Sequence, residues 1–419
     1  MRSTLLGGTA LTLGLTLAAG TAIAQTELII ESWRSEDQAI WDEVLLPAFE
    51  AQHPDIDVSF SPTAPTEYNA ALNARLDGGT AGDLITCRPF DASLAQFQKG
   101  HLADISDLEG LSNFSDVAKS AWSTDDMSAT FCVPMAAVIH GFMYNKDAFA
   151  ELGLEVPATE AEFFAVLDAI QDDGSYVPLA MGTADQWEAA TMGYTNIGPA
   201  YWDGEEGRQA LIEGTAEFTD PRYVEPYRVL ERWADYMGRG YQAQSYSDSQ
   251  NLFTLGRAAI YPTGSWEITG FKNQAIFELG AFPPPVPEEG ATCYIADHTD
   301  IGIGMNANTD NPEAARTFLE WVASAEFAAL YTNSLPGFFS LSSAPFEVED
   351  PLAREFISWR ETCESTIRLA HQILSRGEPN TWNRMWTVSA NVLNDAMTPE
   401  EGTEHLQEGL EAWYPPQQN

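Results

Sequence analysis

The chain has 419 residues, with 62 Asp and Glu against 20 Lys and Arg and a formal charge of -42. Such a charge repels phosphate backbones and anionic lipid surfaces, which excludes nucleic acid as a partner. A hydrophobic content of 44%, with 12 Trp, 14 Tyr and 21 Phe, is enough to build a core and excludes an intrinsically disordered chain.

The chain opens with Met1 and Arg2, an apolar run over 5–19, and Ala22-Ile23-Ala24 ahead of Gln25. This pattern reads as a secretory signal peptide cleaved after Ala24, and its apolar run is too short to span a bilayer. A β-rich run follows at 26–33. Ile40, Trp41, Val44, Leu45, Ala48 and Phe49 then recur at helical spacing over 36–52, with Pro47 as a candidate kink and His53-Pro54 as the end. Ile56, Val58 and Phe60 alternate as in a strand, 66–77 reads as a helix broken by Gly78-Gly79, and 83–87 reads as a third strand. A βαβαβ order predicts a parallel sheet whose ligand lies beyond the carboxyl ends of its strands. Those ends are Ser32-Trp33-Arg34, Ser61-Pro62-Thr63 and Cys87-Arg88-Pro89-Phe90-Asp91. Their indole, guanidinium, hydroxyl and carboxylate groups suit a polar ligand with an apolar face.

Further on, 130–146 reads as two β-like runs and the stretch to about residue 240 as mostly helical, including 160–170 and 224–237, with Trp187 in a loop between them. A strand at 257–262 leads into Thr263-Gly264-Ser265-Trp266-Glu267, and after the Pro-rich 282–290 a strand at 300–307 precedes a helix over 312–330. No G-x-x-x-x-G-K-[ST] loop occurs, and Gly302 and Gly304 lack the third glycine of a dinucleotide site, so no cofactor is expected. The four cysteines allow three disulfide pairings, of which Cys87 with Cys132 and Cys293 with Cys363 is favoured. With no C-x-x-C and no H-x-x-x-H, no metal site is expected.

Several blocks together resemble one family: WDEVLLPAFEAQHPDIDVSF, GGTAGDLITC, FQKGHLADISDL, VPMAAVIHGFMYNKDAF and GRAAIYPTGSWE. In order and spacing the chain is similar to family 1 extracellular solute-binding proteins, the maltose-binding-protein-like receptors of sugar-importing ABC transporters. The resemblance implies an α/β fold of two lobes, each a mainly parallel sheet flanked by helices, with the ligand cleft between them. The N-terminal lobe is expected over 25–138 and 300–340, the C-terminal lobe over 142–290 and 346–419, and hinges at about 138–142, 290–300 and 340–346. It further implies a periplasmic monomer that binds a carbohydrate and delivers it to membrane permease subunits without catalysis.

Carried over motif by motif, the resemblance puts Trp33, Arg34, Arg88 and Asp91 in the N-terminal wall of the cleft, Trp266 and Glu267 after the strand end, Gly337 and Phe338 in a GFF turn, Trp382 with Trp386 in a late aromatic cluster, and Trp187 in the C-terminal wall. Val138 stands where the maltose-binding protein has a carboxylate in its crossing strand, which speaks against maltodextrin. An indole can stack on the C–H face of a sugar while charged groups bind its hydroxyl rim. Two arginines in the cleft would favour an anionic sugar derivative. Arg34 and Arg88 have the alternative task of neutralising nearby carboxylates, and Asp91 that of capping the helix that follows it. The rival function is a secreted carbohydrate-active enzyme using paired cleft carboxylates. A binding protein serving a chemoreceptor would share the same site.

Overall fold

Period-two burial in β1 and β2 fixes which side chains face the interior: Leu28, Ile30, Ile56, Val58 and Phe60 are buried. The computed structural model describes residues 25–418, and the predicted signal segment 1–24 lies outside the described residues. Its strands, in chain order, are β1 (Thr26–Ser32), β2 (Ile56–Pro62), β3 (Leu84–Cys87), β4 (Val133–Asn145), β5 (Val177–Leu179), β6 (Ala258–Gly264), β7 (Leu279–Phe282), β8 (Tyr294–Met305), β9 (Phe339–Ser340) and β10 (Glu364–Thr366). The path of the sheet is β2-β1-β3-β8-β4-β6-β5. β1 pairs in parallel with β2 and β3. β8 joins antiparallel to β3 and β4, β6 and β7 join antiparallel to β4, and β5 joins parallel to β6. Parallel βαβ segments are thus connected through antiparallel crossing strands.

Buried apolar side chains divide into two cores. One runs from Leu28 to Val138 and resumes from Ile301 to Phe338. The other runs from Ile139 to Ile295 and resumes from Phe339 to Tyr414. β4 and β8 each change core partway along their length, so both carry side chains to the boundary between the cores.

The structure corrects three local readings. The two β-like runs at 130–146 are one continuous strand, β4, irregular in register between Pro134 and Ala137. The helix predicted over 312–330 is two, Pro312–Val322 and Ala325–Ser334, because the Ser324 hydroxyl accepts from the Phe327 N–H at 3.1 Å and starts a second helix. The helix around Pro47 widens into a π turn over Trp41–Leu45. Pro47 has no N–H to return to the preceding turn, and a π turn absorbs that loss.

Both favoured disulfides are present, Cys87–Cys132 and Cys293–Cys363. They also account for the paired glycines of β8. A Cβ at Gly304 would sit 2.7 Å from the Cys132 sulfur, and one at Gly302 would sit 2.7 Å from the Trp122 ring. The pair therefore makes room for the bridge and an indole. Removing the first bridge in a Cys87→Ala/Cys132→Ala variant should lower the unfolding free energy by about 4 kcal/mol, since the bridge closes a loop 45 residues long. Urea titration of the variant against the oxidised wild type measures the difference.

Candidate functional site

The tips of β1 and β3 are braced from beneath. Tyr68 donates its hydroxyl to the Thr86 carbonyl at 2.7 Å, and Arg75 clamps the buried Glu31 of β1 through Nε at 3.0 Å and Nη2 at 2.5 Å. Above these braces Trp33 is buried, tilted on Tyr68 at 5.5 Å, and Arg88 lies over its indole at 4.0 Å. The face of Trp33 is thus covered by a guanidinium, which it presents to the cleft. Arg34 sits 4.5 Å over the Phe338 ring and is bidentate to Asp37 at 2.6 and 2.7 Å. Its charge is neutralised locally.

Asp91 begins the helix Asp91–Gln98, but its side chain makes no cap. It accepts instead from Arg376 Nε at 2.6 Å, and the same guanidinium donates twice to Asp125 at 2.7 Å. Arg376 comes from the chain after β10, so it ties the second core to two carboxylates of the first. Phe90, with φ of 57°, turns its ring toward His298 and His371. A bulky residue in this sparsely populated region is held there by its surroundings.

The opposite wall is built on the helix Tyr246–Thr254, started by a capping box at Ser245. Tyr246 and Gln250, four residues apart, lie on one face and reach the same partner. Gln250 Nε2 donates to both oxygens of Glu267 at 2.9 and 3.1 Å, the Tyr246 hydroxyl donates to Glu267, and Trp266 Nε1 donates to the Tyr246 oxygen at 3.1 Å. Trp187 meets Tyr246 edge-on at 4.7 Å, and Trp266 meets His140 edge-on at 5.1 Å. Gly337 has φ of 106°, where a Cβ would fall 1.9 Å from the Ser265 carbonyl oxygen. Its own carbonyl accepts from Ser265 Oγ at 2.5 Å. The turn before Phe338 is thereby fixed to the start of the Trp266 turn.

The crossing strands and the segment after β10 form the floor. His140 on β4 is fully buried, its Nδ1 3.2 Å from the Thr191 carbonyl and its Nε2 accepting from Arg368 Nε at 3.2 Å. That arrangement assigns a neutral ring with the proton on Nδ1. His298 on β8 is equally buried, His371 lies edge-on to it at 4.6 Å, and Trp382 lies edge-on to His371 at 5.0 Å with Trp386 beyond it. Of the residues predicted to contact ligand, Trp33 and Arg88 form one contact group, Trp266 joins His140 and Arg368 in a second, and Trp382 joins His371 and His298 in a third. Arg34, Asp91 and Glu267 are engaged by protein partners. Sequence reasoning missed Tyr246, Gln250, Asp300, Arg368, His371 and Arg376. The Tyr246/Gln250 spacing carried a signal, whereas the irregular segment 367–376 carried none.

Burial pushes the carboxyl of Glu267 up to about 8, against the pull of Arg34, and burial pushes Glu188 beneath it up to about 8 as well. The folded protein therefore keeps protons that the unfolded chain gives up near pH 4.5, and stability falls as pH rises toward 8. His140, His298 and His371 are held well below 6.5, chiefly by burial and then by the Arg368 charge. Their contribution rises with pH and is complete above 6.5, leaving the window from 6.5 to 8 to the glutamates. In that window the thermal midpoint of the wild type should fall with pH, and Glu267→Gln should flatten the fall. Calorimetric scans of both proteins across the window check this.

The geometry is that of a cleft between two α/β lobes, and known proteins share it. A chitin oligosaccharide-binding protein superposes with a TM-score of 0.79 at 20% identity, covering 93% of this chain and 99% of that one. A solute-binding protein in complex with raffinose superposes with a TM-score of 0.76 at 22% identity, covering 94% and 100%. In sequence, the multiple sugar-binding protein of Streptococcus mutans is 21% identical over 384 residues, 89% of this chain and 86% of that protein. The family model for bacterial extracellular solute-binding proteins matches residues 32–329, and this chain belongs to that family.

Proposed function

We propose that this protein is the exported, periplasmic substrate-binding component of an ABC importer, a monomer that closes its two lobes around a carbohydrate and hands it to the permease. The observation that carries this reading is the pair of facing walls. Trp33 with Arg88 comes from one core and Tyr246 from the other, with Trp266 packed against both, over a floor of His140 and Arg368. The aromatic cluster of Trp266, Tyr246 and Trp187 on one side, facing the guanidinium of Arg88 on the other, supplies the apolar and hydrogen-bonding groups that the two surfaces of a sugar call for. The sugar-binding relatives support the ligand class. Three of the cleft carboxylates are already engaged, Asp37 by Arg34, Asp91 by Arg376, and Glu267 by Tyr246 and Gln250. That pattern favours binding over a glycosidase pair, which needs two carboxyl groups free to act on substrate.

Hinges at 138–142 and 290–300 are supported by the change of core between Val138 and Ile139 and between Ile295 and Ile301, whereas the third change, between Phe338 and Phe339, falls ahead of the expected 340–346. Ligand favours the closed form to the extent that it touches both walls there. The Arg376 bridge to Asp91 and Asp125 acts in the same direction before ligand arrives.

The deciding experiment is a thermal-shift panel of neutral and acidic sugars and polyols on the chain from residue 25, with calorimetry and chemical recovery of any hit. A ligand at a hundredfold excess over its Kd should add about 2.7 kcal/mol of stability. Recovery of the ligand unchanged supports the reading, and consumption of the ligand or silence across the panel overturns it. Trp266→Ala should weaken the hit by roughly ten- to hundredfold, as loss of a central aromatic anchor does. Arg376→Gln should enlarge the radius of gyration of the unliganded protein in small-angle scattering and weaken binding by roughly two- to fivefold, the scale of a partly exposed ion pair.

A further inference from the structure

The floor of the cleft holds more positive charge and more unsatisfied polar atoms than the protein itself balances. Two of the arginines described above are fully engaged, Arg34 by Asp37 and Arg376 by Asp91 and Asp125. Arg88 and Arg368 are not. Arg88 makes a long hydrogen bond from Nε to Asn69 at 3.4 Å and rests on Trp33, and among the described residues no carboxylate forms an ion pair with it. Arg368 spends its Nε on the neutral His140 at 3.2 Å, and the nearest oxygen of Asp300 stands 3.9 Å from its Nη1, beyond hydrogen-bond reach. Asp300 is the main charge acting on both guanidinium groups, and the Arg88 charge also acts on Arg368. Two cations thus share one carboxylate. Around them, both ring nitrogens of buried His298 and the Nε2 of His371 have no hydrogen-bond partner.

A shortage of carboxylates does not explain this, since the chain has 62 acidic residues against 20 basic ones. Guanidinium groups largely withdrawn from water are ordinarily paired, because an unpartnered charge is costly there. The planar fork of Arg matches an oxyanion with two parallel hydrogen bonds, and neutral imidazoles can donate to or accept from hydroxyl groups. We infer that the ligand is a carbohydrate carrying an oxyanion, which seats between Arg88 and Arg368 while sugar hydroxyls meet His298 and His371. This inference rests on the carbohydrate reading and narrows it to a charged substrate class. The overall negative charge opposes it weakly, since exposed charges are screened beyond about 8 Å at physiological salt.

The test is calorimetry on the chain from residue 25 with matched probes: neutral sugars from mono- to trisaccharides, the corresponding uronates, and sugar phosphates. The charged member of a pair should bind at least about tenfold tighter than its neutral counterpart, the scale of one charge-assisted contact. A uronate preference assigns a carboxylate, and a phosphate preference assigns a tetrahedral oxyanion at the same place. Arg88→Gln and Arg368→Gln should each weaken the charged member far more than the neutral one and so erase most of that preference. The wild-type comparison stands even if a variant fails to fold. Equal or tighter binding of the neutral member would overturn the inference and leave the carbohydrate reading intact. If no sugar of either charge binds, the carbohydrate reading falls and takes the inference with it.

Discussion

The antiparallel pairing of β4 with β8 is the constraint on which the rest of the molecule depends. From Val133 opposite Ile303 to Ile139 opposite Asp297, these two strands run together from one core into the other. Everything at the floor of the cleft is placed by that ladder: His140 is just past its end on β4, and His298 and Asp300 are on β8. Shifting the register by one residue would turn each of these side chains to the other face. The irregularity between Pro134 and Ala137 falls at the N-terminal end of the ladder. An extra residue there increases local twist without disturbing the pairs that hold the floor. The glycines and the Cys87–Cys132 bridge secure the same end, where β3, β8 and the start of β4 come within contact of one another.

Electrostatics divides the molecule as clearly as packing does. A chain with charge -42 keeps most of its carboxylates in water, where they repel one another and favour solubility. Its few cations are used selectively. Arg75 holds Glu31 under the site, Arg208 is bidentate to Glu205 and also donates to the His371 carbonyl at 3.2 Å, and Arg34, Arg88, Arg368 and Arg376 stand at the junction of the cores. Through Arg208 the segment that bears Arg368, His371 and Arg376 is anchored to the second core. A segment with little regular structure is thus rigid enough to present three cleft residues.

Much of this was legible in the sequence, for identifiable reasons. Strand tips can be read because period-two burial and glycine breaks mark where β1 and β3 end, and the crevice rule then points to Trp33, Arg88 and Asp91. Trp266 follows from the family resemblance, through the glycine-rich end of β6. The division of labour among these residues was not legible. Whether Arg34 faces ligand or Asp37 depends on a 3-10 turn at Ser35–Asp37, which leaves no periodic trace. The role of Asp91 depends on a residue 285 positions away. Arg368 and His371 sit in a segment with neither helical nor strand periodicity, and only tertiary structure brings Arg368 against His140 and His371 against Trp382. Pro134 interrupts the pattern of β4 and gives one long strand the look of two. The capping Ser324 breaks no apolar periodicity, so two helices look like one over 312–330.

The distribution of contacts between the lobes has a thermodynamic consequence. A ligand shifts an open-closed equilibrium only by the difference in its affinity for the two states, so contacts made with one wall alone shift nothing. Trp33 and Arg88 on one side, and Tyr246 on the other, can contribute to closure only when something bridges them. The Arg376 bridge is a different kind of contact, made by protein groups alone and therefore always available. Its partner Asp125 is largely exposed, and ion pairs of that kind contribute about 0 to 1 kcal/mol. A contribution of that size biases the lobes toward one another without holding them shut. A much stronger clasp would close the cleft without ligand and raise the barrier to release. The more buried arginines, left short of carboxylates, complete their bonding only when a ligand supplies the missing oxygens, so they reward closure over a filled cleft and not over an empty one.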